Sequence, residues 1–127
     1  MRCRLVALLL FALAASRFLQ RYVVRGESMT PAFKPGDRLI AESLSYRLRP
    51  PRAGDAVIVR QPGSKGRKDL KRIAAAPGAT VEGLHGPHTL AADEWFVLGD
   101  NLDASTDSRS LGPVPRGDIL GRVWFKY

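Results

Sequence analysis

The stretch "DAVIVRQ", residues 55–61, decides how the rest of the chain is read. Its centre, Ala56-Val57-Ile58-Val59, is bounded by Gly54 and Asp55 on one side and by Pro62 and Gly63 on the other. An apolar run this short, rich in β-branched residues and closed by turn formers, reads as a strand. Working outward, the same design recurs in "DRLIAES" (37–43), "LKRIAAA" (70–76), "ATVEGL" (79–84), "EWFVLG" (94–99) and "DILGRVWFKY" (118–127). Between them lie "KPGD", "RPPRAGD", "APGA" and "LGPVPRGD". From Tyr22 onward no segment holds a helical period for three turns, so the expected fold is mainly β, a small folded-over and barrel-like sheet. The connection from Asp100 to Asp118 has no apolar run of its own, and connections of that length are usually functional.

With 127 residues the chain can build one domain with a small core. At 45% hydrophobic and 25% charged its composition is that of an ordinary globular protein. Its one cysteine, Cys3, allows no internal disulfide and reads as a bystander. The net charge of +8 admits nucleic acid or an anionic membrane as a partner. The densest basic run, "RQPGSKGRKDLKR" (60–72), has six basic side chains and no aromatic one on which a base could stack, so it reads as a solvated loop and no nucleic-acid partner is expected.

The first residues, "MRCRLVALLLFALAAS", join two arginines to an uncharged stretch from Leu5 to Ser16. That pattern is shared by a membrane anchor and a signal peptide. Twelve helical residues reach only ~18 Å, short of a ~30 Å hydrocarbon core. An anchor would therefore draw on "RFLQRYVV" (17–24), with Arg17 and Arg21 snorkelling to the head groups. A core helix is a third reading, weakened by an apolar surface that runs all round. The division expected is an anchor or signal-like segment over 1–21 and a catalytic domain over 22–127.

"GESMTP" (26–31) places Ser28 in a turn, where it is either a turn serine or a nucleophile. A serine nucleophile needs a base. His85 and His88 lie in "GLHGPHT", a turn with no fixed carboxylate nearby and without the cysteine or acidic companions of a zinc site, so they are assigned to the surface and no metal is expected. A lysine serves only if burial lowers its pKa. Lys71, in "DLKRIAAAPG", has that apolar setting, whereas Lys65 and Lys68 lie in a polar loop and Lys126 near the chain end. "GDNLDASTDSR" (99–109) is a dense cluster of hydrogen-bonding side chains, and its Ser105 is the hydroxyl expected to orient Lys71.

In this order, "GESMTP", "GDAVIVRQP", "KRIAAAPG" and "GDNLDASTDSRSLGPVP" resemble the type I signal peptidase family, membrane-bound serine proteases with a Ser-Lys dyad. The last segment and the compact length are especially similar to the mitochondrial inner-membrane branch and short bacterial relatives. The resemblance implies that Ser28 attacks the scissile carbonyl, Lys71 takes its proton and Ser105 hydrogen-bonds the lysine. It also implies that Asp107 and Arg109 brace this wall of the site, that Asp100 and Asn101 form its turn, and that Met29 lines shallow pockets for small substrate side chains. Two positions depart from the family pattern. Gly26 stands where some members carry a serine that donates to the oxyanion, which leaves the Ser28 N–H as the surer donor. Ala104 replaces the usual asparagine before Ser105.

The implied partners are signal-peptide-bearing precursors, bound as an added β-strand, and a membrane; no cofactor is implied, and a partner subunit stays open. Two rivals remain: a self-cleaving regulator with the same dyad, and an inactive anchored module that binds peptides. Arg2, Arg4 and the amino terminus balance Arg17, Arg21 and Arg25 across the apolar run, so charge does not orient it. By resemblance, the amino terminus lies inside and Ser28 on the outer face.

Overall fold

The structure, a computed structural model, describes residues 1–127. Its strands are β1 (Leu19–Val23), β2 (Arg38–Glu42), β3 (Ala56–Val59), β4 (Asp69–Ala75), β5 (Thr80–Gly83), β6 (Gly86–Thr89), β7 (Phe96–Leu98) and β8 (Ile119–Lys126). Its helices are α1 (Arg2–Ser16), α2 (Ser45–Leu48) and α3 (Ser108–Leu111). Six strands form one antiparallel sheet in the order β1-β2-β8-β3-β4-β7, and β5 and β6 form a separate hairpin. The mainly β expectation holds, and each strand read from the sequence is present.

The β3 sequence explains its central place. Val57, Ile58 and Val59 are each 0% exposed, because both faces of the strand are covered. Side chains alternate between faces. Val57 and Val59 enter a cluster with Tyr46, Ile73, Trp95, Val97, Val114 and Ile119, whereas Ile58 enters a second with Val24, Met29, Leu39, Ala41 and Leu70. Each aliphatic side chain buried this way contributes about 1.5–3 kcal/mol.

The sheet is open, with β1 and β7 at its edges, so the barrel-like expectation is not met by backbone pairing. It is nevertheless curled. The pairings of β8 skip Trp124 against β2 and Leu120 against β3, and the β4–β7 pairing skips Ala74. Each extra residue bends its strand and increases the twist. As a result the end of β1 approaches the start of β4, where the Tyr22 hydroxyl donates weakly to the Lys68 carbonyl at 3.5 Å.

Two readings of the N-terminal half change. "RFLQRYVV" does not prolong the helix, because Leu19–Val23 pairs with Arg38–Glu42 in the sheet. Its residues alternate there, with Leu19, Arg21 and Val23 exposed and Gln20 and Tyr22 half-buried. α1 has 15 residues, none of them buried, which excludes the core-helix reading. No helix is long and apolar enough to cross a membrane. Further along, "GLHGPHT" supplies the turn and second strand of the β5–β6 hairpin, hidden from sequence reading by its glycines and proline.

Candidate active site

Lys71 sits in β4 between Leu70 and Arg72, opposite Val57 of β3, on the face that also carries Ile73. Only 5% of it is exposed. Burial pushes its amine below the ordinary lysine value; Asp69 and Asp107 pull it back up, and Arg67 and Arg109 push with the burial. β7 pairs only with Arg72–Ala75, so Asp69–Lys71 has β3 on one side and no strand neighbour on the other.

The connection after β7 brings the polar partners. Lys71 Nζ donates to Ser105 Oγ at 3.0 Å, and Ser105 Oγ donates to Asp107 Oδ2 at 2.7 Å. Asp107 Oδ2 also accepts from the Gly99 N–H at 3.0 Å and from Arg109 Nη2 at 3.1 Å, while Oδ1 accepts from Arg109 Nε at 2.8 Å. Asp107 is 1% exposed and caps α3 through the Arg109 N–H. Burial alone would raise its pKa. The Arg109 side chain, the Gly99 N–H, the Ser105 hydroxyl and the Arg109 N–H outweigh burial and hold it below the usual carboxylate range. Arg109 ties the loop down further through the carbonyls of Leu102 at 2.7 Å and Ser105 at 3.2 Å.

The turn carrying Ser28 is locked to the same loop. The Asn101 N–H donates to the Ser28 carbonyl at 2.8 Å, and Asn101 Nδ2 donates to the Glu27 carbonyl and to Thr30 Oγ1, each at 3.1 Å. Gly99 lies at the crossing of the two segments. A Cβ there would stand 2.6 Å from the Ser28 carbonyl oxygen and would overlap Ser105 Oγ. Arg72 closes the far side with paired bonds to Asp100, both at 2.8 Å.

Ser28 and Lys71 line one open cleft of about 360 Å³, together with Tyr22, Arg25, Gly26 and Glu27 from one segment, Arg67, Lys68 and Asp69 from another, and Ala104 and Thr106 from the loop after β7. Neither the Ser28 hydroxyl nor its N–H is engaged within the chain. Gly26 has φ of +70°, a left-handed conformation that strains any L side chain, so a serine donor at this position would come at a cost in backbone energy. Met29 does not line the cleft. It is 1% exposed in the second cluster, and its sulfur accepts from the Asp100 N–H at 3.4 Å. The apolar side chain next to Ser28 is thus drawn inward to anchor the turn.

His85 and His88 lie apart from this cleft, in a hollow between the hairpin and α3. His88 does have an acidic companion, Glu94, at 2.9 Å, formed when the hairpin folds back and invisible in the local sequence. Residues that sequence reading passed over are Gly99, Thr30 and Gln61; Gln61 Nε2 donates to the carbonyl of Thr106, a cleft-lining residue, at 3.1 Å. No cluster of His, Cys, Asp and Glu suited to a metal occurs.

A buried lysine is thus bonded to one serine and shares a cleft with a second, unengaged serine. The family described as signal peptidase, peptidase S26, matches residues 1–87 and 83–127. The chain belongs to this family. It is 33% identical to signal peptidase I of Leptolyngbya laminosa, over 84% of this chain and 67% of that one. With the mitochondrial ATP-independent inner membrane protease subunit 1a of Arabidopsis thaliana it shares 39% identity, over 80% of this chain and 68% of the relative. The probable signal peptidase I-1 of Synechocystis sp. is 29% identical, over 96% and 80% respectively. As a member of the signal peptidase family, the chain is a serine endopeptidase.

Proposed function

We propose that this endopeptidase removes signal peptides from exported precursors by a Ser-Lys dyad, with Ser28 as nucleophile and Lys71 as general base. The observation that carries the reading is the 3.0 Å bond from the buried Lys71 amine to Ser105, on the wall of the cleft that Ser28 lines. Burial favours the neutral amine, which alone can take the Ser28 proton. Ser105 accepts from that amine and is itself fixed by Asp107, so the lysine is aimed as well as desolvated. The Ser28 N–H faces no competing acceptor in the chain and is the donor for the oxyanion.

The substrate binds as an extended strand along the free edge of Asp69–Lys71, opposite Arg25–Ser28, with its scissile carbonyl at Ser28. After attack, Lys71 passes its proton to the leaving amine, and water hydrolyses the acyl-enzyme by the same base.

The exposed apolar surface of α1 supports membrane attachment through this helix; kinship with peptidases that act on exported chains favours an amino terminus inside and a catalytic domain on the outer face. At ~22 Å, α1 is shorter than a bilayer core, so attachment involves local thinning or snorkelling of Arg2, Arg4 and Arg17.

The detergent-solubilised chain should cleave a peptide with small residues before the bond. Ser28→Ala and Lys71→Met should each abolish cleavage, with losses that do not add, and Ser105→Ala should lose much of it. Near-normal turnover by Ser28→Ala or Lys71→Met would sink the dyad.

A further inference from the structure

The Ser28 N–H belongs to the same planar peptide unit as the Glu27 carbonyl. That carbonyl accepts from the Thr30 N–H at 3.2 Å, from Thr30 Oγ1 at 2.9 Å and from Asn101 Nδ2 at 3.1 Å. Asn101 Nδ2 reaches Thr30 Oγ1 as well, so the two side chains and the carbonyl form one small network. The Glu27–Ser28 peptide is trans, since the chain's cis bond is Thr30-Pro31, and in a trans unit the N–H points opposite to the C=O. Donors that fix the Glu27 oxygen therefore fix the direction of the Ser28 N–H.

They also change its strength. Hydrogen bonds accepted by a carbonyl polarise its amide and make the N–H a better donor. The second bond from Asn101, N–H to the Ser28 carbonyl, holds the next peptide unit in place at 2.8 Å. The nucleophile's turn is thus gripped on both sides of Ser28, while the Ser28 N–H itself has no partner in the chain.

We propose that Asn101 and Thr30 are positioning residues for the oxyanion: they aim and polarise the Ser28 N–H without touching the substrate. Gly26 gives this pair its importance. A glycine offers no side-chain donor, so stabilisation of the developing negative oxygen rests on the one N–H that Asn101 and Thr30 control. The inference rests on the Ser-Lys reading of the site, and it assigns these two side chains an effect on the transition state rather than on the base or on substrate binding.

The test compares Thr30→Val, Thr30→Ser and Asn101→Asp with the unaltered chain in a peptide-cleavage assay. It adds inhibition by a peptide aldehyde of the same sequence. Ser28 Oγ adds to the aldehyde carbon, the carbonyl π bond breaks onto oxygen and the serine proton passes to Lys71, so the aldehyde reports the oxyanion donor directly. Thr30→Val and Asn101→Asp should lower kcat by about tenfold to a hundredfold, below the full loss of an oxyanion donor. KM and the alkaline limb of the pH profile should stay in place, and aldehyde affinity should fall in step with kcat/KM. Thr30→Ser, which keeps the hydroxyl, should restore the rate. Unchanged kcat in Thr30→Val, a loss confined to KM, or a displaced alkaline limb would overturn the assignment while leaving the dyad intact. A chain that cleaves no peptide would instead sink the dyad reading beneath it.

Discussion

Lys71 Nζ lies 3.0 Å from Ser105 Oγ, and that hydroxyl passes its own proton side to Asp107 at 2.7 Å. The lysine is therefore joined to a buried carboxylate through one hydroxyl rather than by a direct ion pair. A direct pair would hold the amine protonated. The interposed serine keeps the carboxylate's orienting effect while its charge stands one side chain further away.

The pH dependence follows from burial of that amine. Because Lys71 is shifted below the ordinary lysine value, activity should rise on the alkaline side through an apparent pKa below ~10.4. The double variant His85→Gln, His88→Gln should retain this limb. Its disappearance in a stopped assay over pH 6–10, a range of roughly the useful width for such a base, would transfer the base role to a histidine.

Replacing Lys71 should stabilise the fold. A lysine whose folded pKa is depressed opposes folding below that pKa, and the penalty fades as pH rises through it toward the unfolded value. Lys71→Met should raise stability at neutral pH by about 1 kcal/mol, an exchange of activity for stability. In urea titrations the gain should shrink above pH 9, a value taken as roughly the approach to the unfolded lysine pKa. A destabilised variant at neutral pH would mean that Ser105 and the neighbouring carboxylates more than offset desolvation.

Asp107 has the opposite sign. Its folded pKa is lowered, so its contribution is complete above the unfolded carboxyl value of ~3.9 and is lost as pH falls through the folded one. Asp107→Asn should cost about 2 kcal/mol at neutral pH, because charged acceptors of several bonds are replaced by one neutral oxygen. The unaltered chain and the variant should converge on acidification, read as converging melting curves. Parallel curves down to the acid transition would show that this carboxylate is not the one that titrates.

Gly99→Ala should be nearly inactive. Its methyl group would overlap Ser105 Oγ and press on the Ser28 carbonyl, forcing the Ser105 loop and the Ser28 turn apart, with a stability loss of about 1–3 kcal/mol. Full turnover by this variant would show that the two segments have room to separate.

The strands were legible because their apolar runs are short and closed by Gly, Pro and Asp, as Ala56–Val59 shows. β6 was not, since Gly86-Pro87-His88-Thr89 has turn composition and becomes a strand only by pairing with β5. Leu19–Val23 was blurred by its apolar neighbours in α1, and its role emerged from pairing with β2. At the site, Lys71 and Ser105 carried their own signals: a lysine in an apolar strand and a serine in a polar loop. The fate of Met29, the crossing at Gly99 and the reach of Asn101 had none. They arise where residues about seventy positions apart meet, as in the Asn101 bonds to Glu27 and Thr30.

The separate hairpin makes this peptidase open to enlargement. Its tip, Leu84 and His85, is exposed and flanked by the paired Gly83 and Gly86, so the two chain ends at any graft would already be neighbours. Each doubling of an inserted loop adds only about 0.6 kcal/mol of closure entropy. A foreign folded module spliced between Leu84 and His85 would leave the six-stranded sheet and its cleft as they are. Growth at this tip is thus separable from the cleft, one carried on the hairpin and the other held in the six-stranded sheet.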